Sequence, residues 1–147
     1  MAVACRYSGY NWGNAAIPYL LKSGASVNAV NRFGQTPLML LYGGRAWDGR
    51  SPYKPYDGRV DGNEEAKFLE MLLETGADTG KKDIWGNTLL HYIAASCCDT
   101  GAKNAMELLA DFGVPNVNEV NNEGLTALDI ATEKDNEAMV KFLLKYA

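Results

Sequence analysis

The sequence holds a single histidine, His91, and only three cysteines, Cys5, Cys97 and Cys98. An odd, low cysteine count supports no disulfide framework and fits a reducing, intracellular compartment such as the cytoplasm. One imidazole is too few for a histidine-rich metal site, and the absence of a Cys-x-x-Cys pair leaves zinc without support. No apolar run approaches the roughly 18 residues that span a bilayer, so no membrane role is expected. The opening Met-Ala-Val-Ala-Cys-Arg has no apolar stretch of signal-peptide length. Basic excess is missing too. Against 18 Asp and Glu there are 14 Lys and Arg, a net charge of −4, which argues against nucleic acid held by phosphate neutralisation. What remains is an ordinary composition, 47% apolar and 22% charged over 147 residues, enough for one domain with a buried core.

Repetition is what the sequence has in abundance. Asn31-Arg-Phe-Gly34-Gln-Thr36-Pro37-Leu38, Asp83-Ile-Trp-Gly86-Asn-Thr88-Leu-Leu90 and Asn121-Asn-Glu-Gly124-Leu-Thr126-Ala-Leu128 share one pattern. Ahead of each, an apolar stretch ends on a glycine: Leu20-Leu21 before Gly24, Leu72-Leu73 before Gly76, Leu108-Leu109 before Gly113. The two glycine series stay in phase, 10 residues apart twice and 11 once, with Pro115 as the added residue. A fixed phase between two motifs is a stronger repeat signal than either motif alone. Thr36, Thr88 and Thr126 fall where helices start and are expected to cap free N–H groups, with Pro37 at a first helical position. Gly34, Gly86 and Gly124 fit tight turns, and Gly24, Gly76 and Gly113 fit left-handed helix ends. Second helices carry apolar stripes: Ala66, Leu69, Leu72, Leu73; then Ala105, Met106, Leu108, Leu109, Phe112; then Met139, Val140, Phe142, Leu143, Tyr146. None of these buries its stripe alone, so side-by-side stacking is expected.

The sequence resembles the ankyrin-repeat family, whose roughly 33-residue unit is a β-turn followed by two antiparallel helices. Thr36-Pro37-Leu38 and Thr88-Leu-Leu90-His91 resemble the family's Thr-Pro-Leu-His signature, and Gly76-Ala77-Asp78 and Gly24-Ala25-Ser26-Val27-Asn28 its Gly-Ala-Asp-Val-Asn ending. The resemblance covers nearly the whole chain. It implies an all-α solenoid of stacked helix-turn-helix units with β-turn fingers. The units are a partial first one over 1–30, a repeat over 31–82, a repeat over 83–120 and a C-terminal repeat over 121–147.

Departures from the family pattern mark the chain's own features. Gly34 to Gly86 spans 52 residues and Gly86 to Gly124 spans 38. Against a roughly 33-residue unit the first interval carries about 19 extra residues, placed by phase between helices at about 43–62. That segment holds five glycines and two prolines, which oppose regular structure. In the second interval the extra residues are expected between helices near Ser96 to Lys103. Leu41 and Ile93 stand where the family usually has alanine, predicting wider helix spacing there. Ala2 to Cys5 resembles the tail of a first helix, and Asn14 to Lys22 a second one that Pro18 delays or kinks. Both ends read as cut, so the chain reads as part of a longer array or as one whose open ends self-associate or meet a partner.

The resemblance implies a non-enzymatic module that binds a protein partner through turn tips and the concave face of the first helices. Carried over, the turn positions are Arg32, Phe33 and Gln35; Ile84, Trp85 and Asn87; Asn122, Glu123 and Leu125. Phe33, Ile84 and Trp85 are large apolar groups expected at exposed tips. The plainer alternative is that Phe33 and Trp85 pack across adjacent turns for stability. The 43–62 insertion adds Arg45, Trp47, Tyr53 and Tyr56, residue types that dominate interfaces, or else it is a solvated loop. Its acids Asp48, Asp57 and Asp61 lack calcium-loop spacing, and no Gly-x-x-x-x-Gly-Lys-Ser/Thr string is present. No cofactor is implied. Thiol catalysis would pair His91 with Cys97 or Cys98, yet Cys98 lies about 10 Å along the helix, too far for direct proton transfer. Two other readings accompany the binding module. One is a structural segment without its own ligand, the other a viral or bacterial effector acting on host proteins.

Overall fold

A computed structural model describes residues 11–42, 62–96 and 99–147. Seven helices occur among them: α1 (Asn11–Lys22), α2 (Pro37–Tyr42), α3 (Gly62–Glu74), α4 (Leu89–Ala95), α5 (Asp99–Phe112), α6 (Ala127–Glu133) and α7 (Glu137–Tyr146). No strand is present among the described residues beyond one isolated antiparallel bridge, Val120 to Thr126.

The helices form two rows. Short α2, α4 and α6 pack in sequence as one row, and longer α3, α5 and α7 as the other. Within each unit α2 meets α3, α4 meets α5 and α6 meets α7. This is the layering that the apolar stripes require. Leu69, Leu72, Ala105, Leu109, Met139 and Leu143 from the long row are buried against Leu38, Leu89, Leu90, Ile93 and Ile130 from the short row. Every residue of α2 and all but the last of α4 are buried. Helices apolar on all sides belong in the middle of a stack. Leu41 and Ile93 are buried at the positions where alanine is usual, as is Ala131.

The expected punctuation is present except at Thr88, whose hydroxyl bonds the His91 ring instead of a helical N–H. The six glycines picked out by spacing all have φ between +72° and +116°. Helix α1 ends with the N–H of Gly24 donating to Leu21 O and that of Ala25 to Leu20 O, and α3 repeats this with Gly76, Ala77, Leu73 and Leu72. α2 starts at Pro37, and the hydroxyl of Thr36 accepts the N–H of Met39. Thr126 caps α6 by accepting the N–H of Asp129, whose carboxyl accepts the N–H and hydroxyl of Thr126 in return. Those two bonds hold the Asp129 carboxyl below its ordinary pKa.

Three local expectations are corrected. α1 begins at Asn11 and runs through Pro18, so the proline neither delays nor ends it. Residues 99–103 are not a loop: α5 starts at Asp99 and absorbs them as added helix, ahead of the buried stripe at Ala105. Phe112, at the end of that stripe, is half-exposed because α5 terminates there. The stretch 43–61, nearly all of the first insertion, lies outside the described residues, as do Ala2 to Cys5, Cys97 and Cys98.

The α6–α7 turn carries one strained residue. Asp135 sits at φ +53° as the left-handed cap of α6, its N–H donating to Thr132 O and that of Asn136 to Ala131 O. A glycine there relieves about 1–2 kcal/mol of left-handed strain, offset by about 0.5–1 kcal/mol of extra chain entropy. Asp135→Gly is therefore expected to raise the urea midpoint, with a net gain of about 0.5 kcal/mol. A lower midpoint contradicts this.

Candidate functional site

The turns between units are built alike, from their first residue outward. Asn31, Asp83 and Asn121 each turn a side-chain oxygen back to accept two backbone N–H groups, two and four residues on. For Asp83 these come from Trp85 and Asn87, both at 2.9 Å. Backbone bonds from Asn31 to Gln35, Asp83 to Asn87 and Asn121 to Leu125 close each turn into a finger. An Asx side chain folded on its own backbone is the mechanism of such turns. The fingers then join one another. The N–H of Ile84 donates to Phe33 O at 3.0 Å, and that of Asn122 donates to Trp85 O at 2.9 Å. The Asn122 side chain adds a bond to Ile84 O.

Beneath the fingers runs a buried polar network. Gln35 Nε2 donates to the Tyr92 hydroxyl at 2.8 Å, which donates to Asp83 Oδ2 at 2.6 Å. Asn121 Nδ2 donates to Asn87 Oδ1 at 3.0 Å. Burial, and next the bond to Asp83, push the Tyr92 phenol well above its ordinary pKa. Gln35 and Asn87, expected on the surface, are buried because they carry the contact between units. His91 bridges the next junction. Its Nδ1 faces Thr88, accepting the N–H at 3.1 Å with the hydroxyl at 2.8 Å, and its Nε2 lies 3.1 Å from Leu125 O. A backbone N–H only donates and a carbonyl only accepts, so the ring is neutral with its proton on Nε2. Burial is the largest influence lowering its pKa; Lys82 acts the same way, while the Leu125 bond, Asp83 and Glu119 oppose.

One exposed apolar group stands at a finger tip, Ile84 at 55%, and two lie immediately ahead of fingers, Val30 at 53% and Val120 at 48%. Phe33 and Trp85 are half-buried and stack on each other, centroids 5.6 Å apart, with the Arg32 guanidinium 4.7 Å from the Phe33 centroid. Lys82 pairs with Glu119 and donates to Val120 O, tying the second finger to the approach of the third.

A family model described as ankyrin repeats (3 copies) matches residues 60–147. The chain belongs to the ankyrin-repeat family. Ankyrin repeats are in general protein–protein interaction modules and typically non-enzymatic. The first finger and α2 lie N-terminal to the matched ankyrin segment, yet they join it through the same finger-to-finger bond, Ile84 to Phe33.

On this ankyrin scaffold the structure brings together Arg32, Phe33, Ile84, Trp85 and Asn122 along one row of fingers. Arg32, Ile84 and Asn122 are exposed. Phe33 and Trp85 differ from the expectation of free tips, since finger spacing lets their rings meet. The concave face of the first helices offers little: α2 and α4 are buried, and only α6 presents Asp129, Thr132 and Glu133. Arg45, Trp47, Tyr53 and Tyr56 lie outside the described residues. Sequence reasoning missed Asp83 and Tyr92, although the Asx-x-x-Gly spacing already signalled the turn. Among the described residues no helix is long and apolar enough to cross a membrane, and no cluster of His, Cys, Asp or Glu forms a metal site.

Proposed function

We propose that this chain is an intracellular, non-enzymatic adaptor that grips a protein partner along its ridge of finger tips. One observation carries the reading. Ile84 is exposed at the tip, and Val30 and Val120 at the base, of fingers locked together by backbone bonds and a buried network. Apolar side chains held in water on a preorganised frame favour contact with another surface, because less ordering entropy is lost at the moment of binding. Arg32 extends the ridge with a cation already braced on Phe33. Trp85 and Asn122 act through the frame, positioning Ile84 and the third finger. The 43–62 insertion, with Arg45, Trp47, Tyr53 and Tyr56, joins the proposal on composition alone.

The test compares proteins retained by the immobilised chain with those retained by Ile84→Asp and by Tyr56→Ala. Ile84→Asp alters an exposed tip, so melting should stay within about 0.5 kcal/mol of the parent. Retention of the principal partner should fall at least tenfold, the effect of about 1.4 kcal/mol at an interface anchor. An unchanged set of retained proteins with Ile84→Asp sinks the ridge assignment, and the same result with Tyr56→Ala removes the insertion from it.

A further inference from the structure

We propose that the ridge is self-complementary, so that two copies of this chain pair ridge to ridge, antiparallel, about a two-fold axis through Ile84. This rests on the ridge being an interaction surface and names what covers it when no other protein does. The three fingers are evenly joined: the bonds Ile84 N–H to Phe33 O and Asn122 N–H to Trp85 O are 3.0 and 2.9 Å long. A two-fold axis normal to an even row returns the middle finger to itself and exchanges the first with the third. What stands at the exchanged positions decides whether a second copy fits.

Opposite charges stand there. Arg32 on the first finger and Glu123 on the third are both exposed, and neither has an ion-pair partner among the described residues. The Arg32 guanidinium is already braced on the Phe33 ring, and its fork of donors matches a carboxylate. Between the charged ends, Ile84 is the exposed apolar group at the midpoint. The apolar groups at the finger bases follow the same symmetry, Val30 ahead of the first finger and Val120 ahead of the third. Lys82 holds that place ahead of the middle finger, where the axis would bring two lysines near each other. Its charge is met within its own chain by Glu119, and it also donates to Val120 O. Antiparallel pairing therefore sets Ile84 against Ile84 and makes two Arg32–Glu123 contacts, each about 10 Å from the axis at the spacing of packed helices. The parallel alternative opposes Arg32 to Arg32 and Glu123 to Glu123, and like charges reject it. Three finger tips make a small contact, so pairing is reversible and rises with concentration. A tighter partner displaces the second copy from Ile84.

Sedimentation equilibrium of the purified chain tests it. The parent should pass from monomer towards dimer as its concentration rises into the millimolar range, and less readily at high salt. Arg32→Glu makes both ends of the ridge acidic, and Glu123→Arg makes both basic. Each should weaken self-association at least about tenfold, since two attractions become two repulsions. Mixed in equal amounts, the two variants should pair with each other about as tightly as the parent pairs with itself, because an acid again faces a base at both ends. Both positions are exposed, so melting curves should match the parent's. A parent that stays monomeric overturns the proposal. So does a dimer that both variants leave unchanged, which places the contact elsewhere on the chain, or a mixture that associates no better than either variant alone. No other protein enters the measurement. The dimer can therefore fail while Ile84→Asp still abolishes retention of a partner, and it can stand where that retention experiment fails.

Discussion

Gly86→Ala is expected to cost about 2–4 kcal/mol, the sum of left-handed backbone strain and a clash in a packed interior. Gly86 sits at φ +77°, and a Cβ added there would lie 2.7 Å from Asn122 Oδ1, 3.0 Å from Asn122 N and 3.1 Å from Asn121 Cα. Two of those atoms are backbone of the next finger, so relief requires the fingers to part and the Asn122 to Trp85 bond to lengthen. Gly124 is the internal control. Its φ of +76° is nearly the same, but nothing lies within 4 Å of its added Cβ. Gly124→Ala should therefore cost about 1 kcal/mol, the backbone strain alone. Urea midpoints of the two variants separate conformation from finger stacking. Equal losses would mean that the close approach at Gly86 contributes nothing.

Asp83→Ala is expected to be at least as severe, about 3–5 kcal/mol, because it strips the acceptor from Asn87 N–H and the Tyr92 hydroxyl, both buried, and from Trp85 N–H. The sharper test is Asp83→Asn. Asparagine is what stands at positions 31 and 121, so local turn chemistry tolerates it. At position 83 the amide oxygen can still hold the two backbone donors, but its NH2 then faces the Tyr92 hydroxyl. That oxygen already receives Gln35 Nε2–H, so the phenol hydrogen is left without an acceptor. About 1–3 kcal/mol should be lost for one buried, unmade bond. Adding Tyr92→Phe removes the stranded hydroxyl, and the double variant should lose less than the two single ones summed. Full stability of Asp83→Asn would mean that the network is not coupled as its geometry implies.

The contrast between Asp83 and its neighbours shows where sequence reading stops. Glycine spacing, threonine caps and helical stripes are local signals, each set by a few residues, and the fold follows from them. Tyr92 and Gln35 meet across 57 residues of chain, and nothing local marks either as a partner of the other. Gln35 and Asn87 look like polar tips because tip positions are usually wet; here they are covered by the adjacent unit. Phe33 and Trp85 were legible as aromatic, but their stacking depends on finger spacing, a tertiary quantity. The start of α5 was misplaced because extra residues beside a helix can lengthen it as easily as loop out.

The bond that steps from finger to finger is indifferent to the chain between. It has the same form and nearly the same length across 52 residues from Gly34 to Gly86 as across 38 from Gly86 to Gly124. Closing the longer span costs only about 0.3 kcal/mol more by loop entropy. Pitch is thus divorced from contour length, and the segment after α2 is a berth where foreign sequence can be carried without disturbing the ridge.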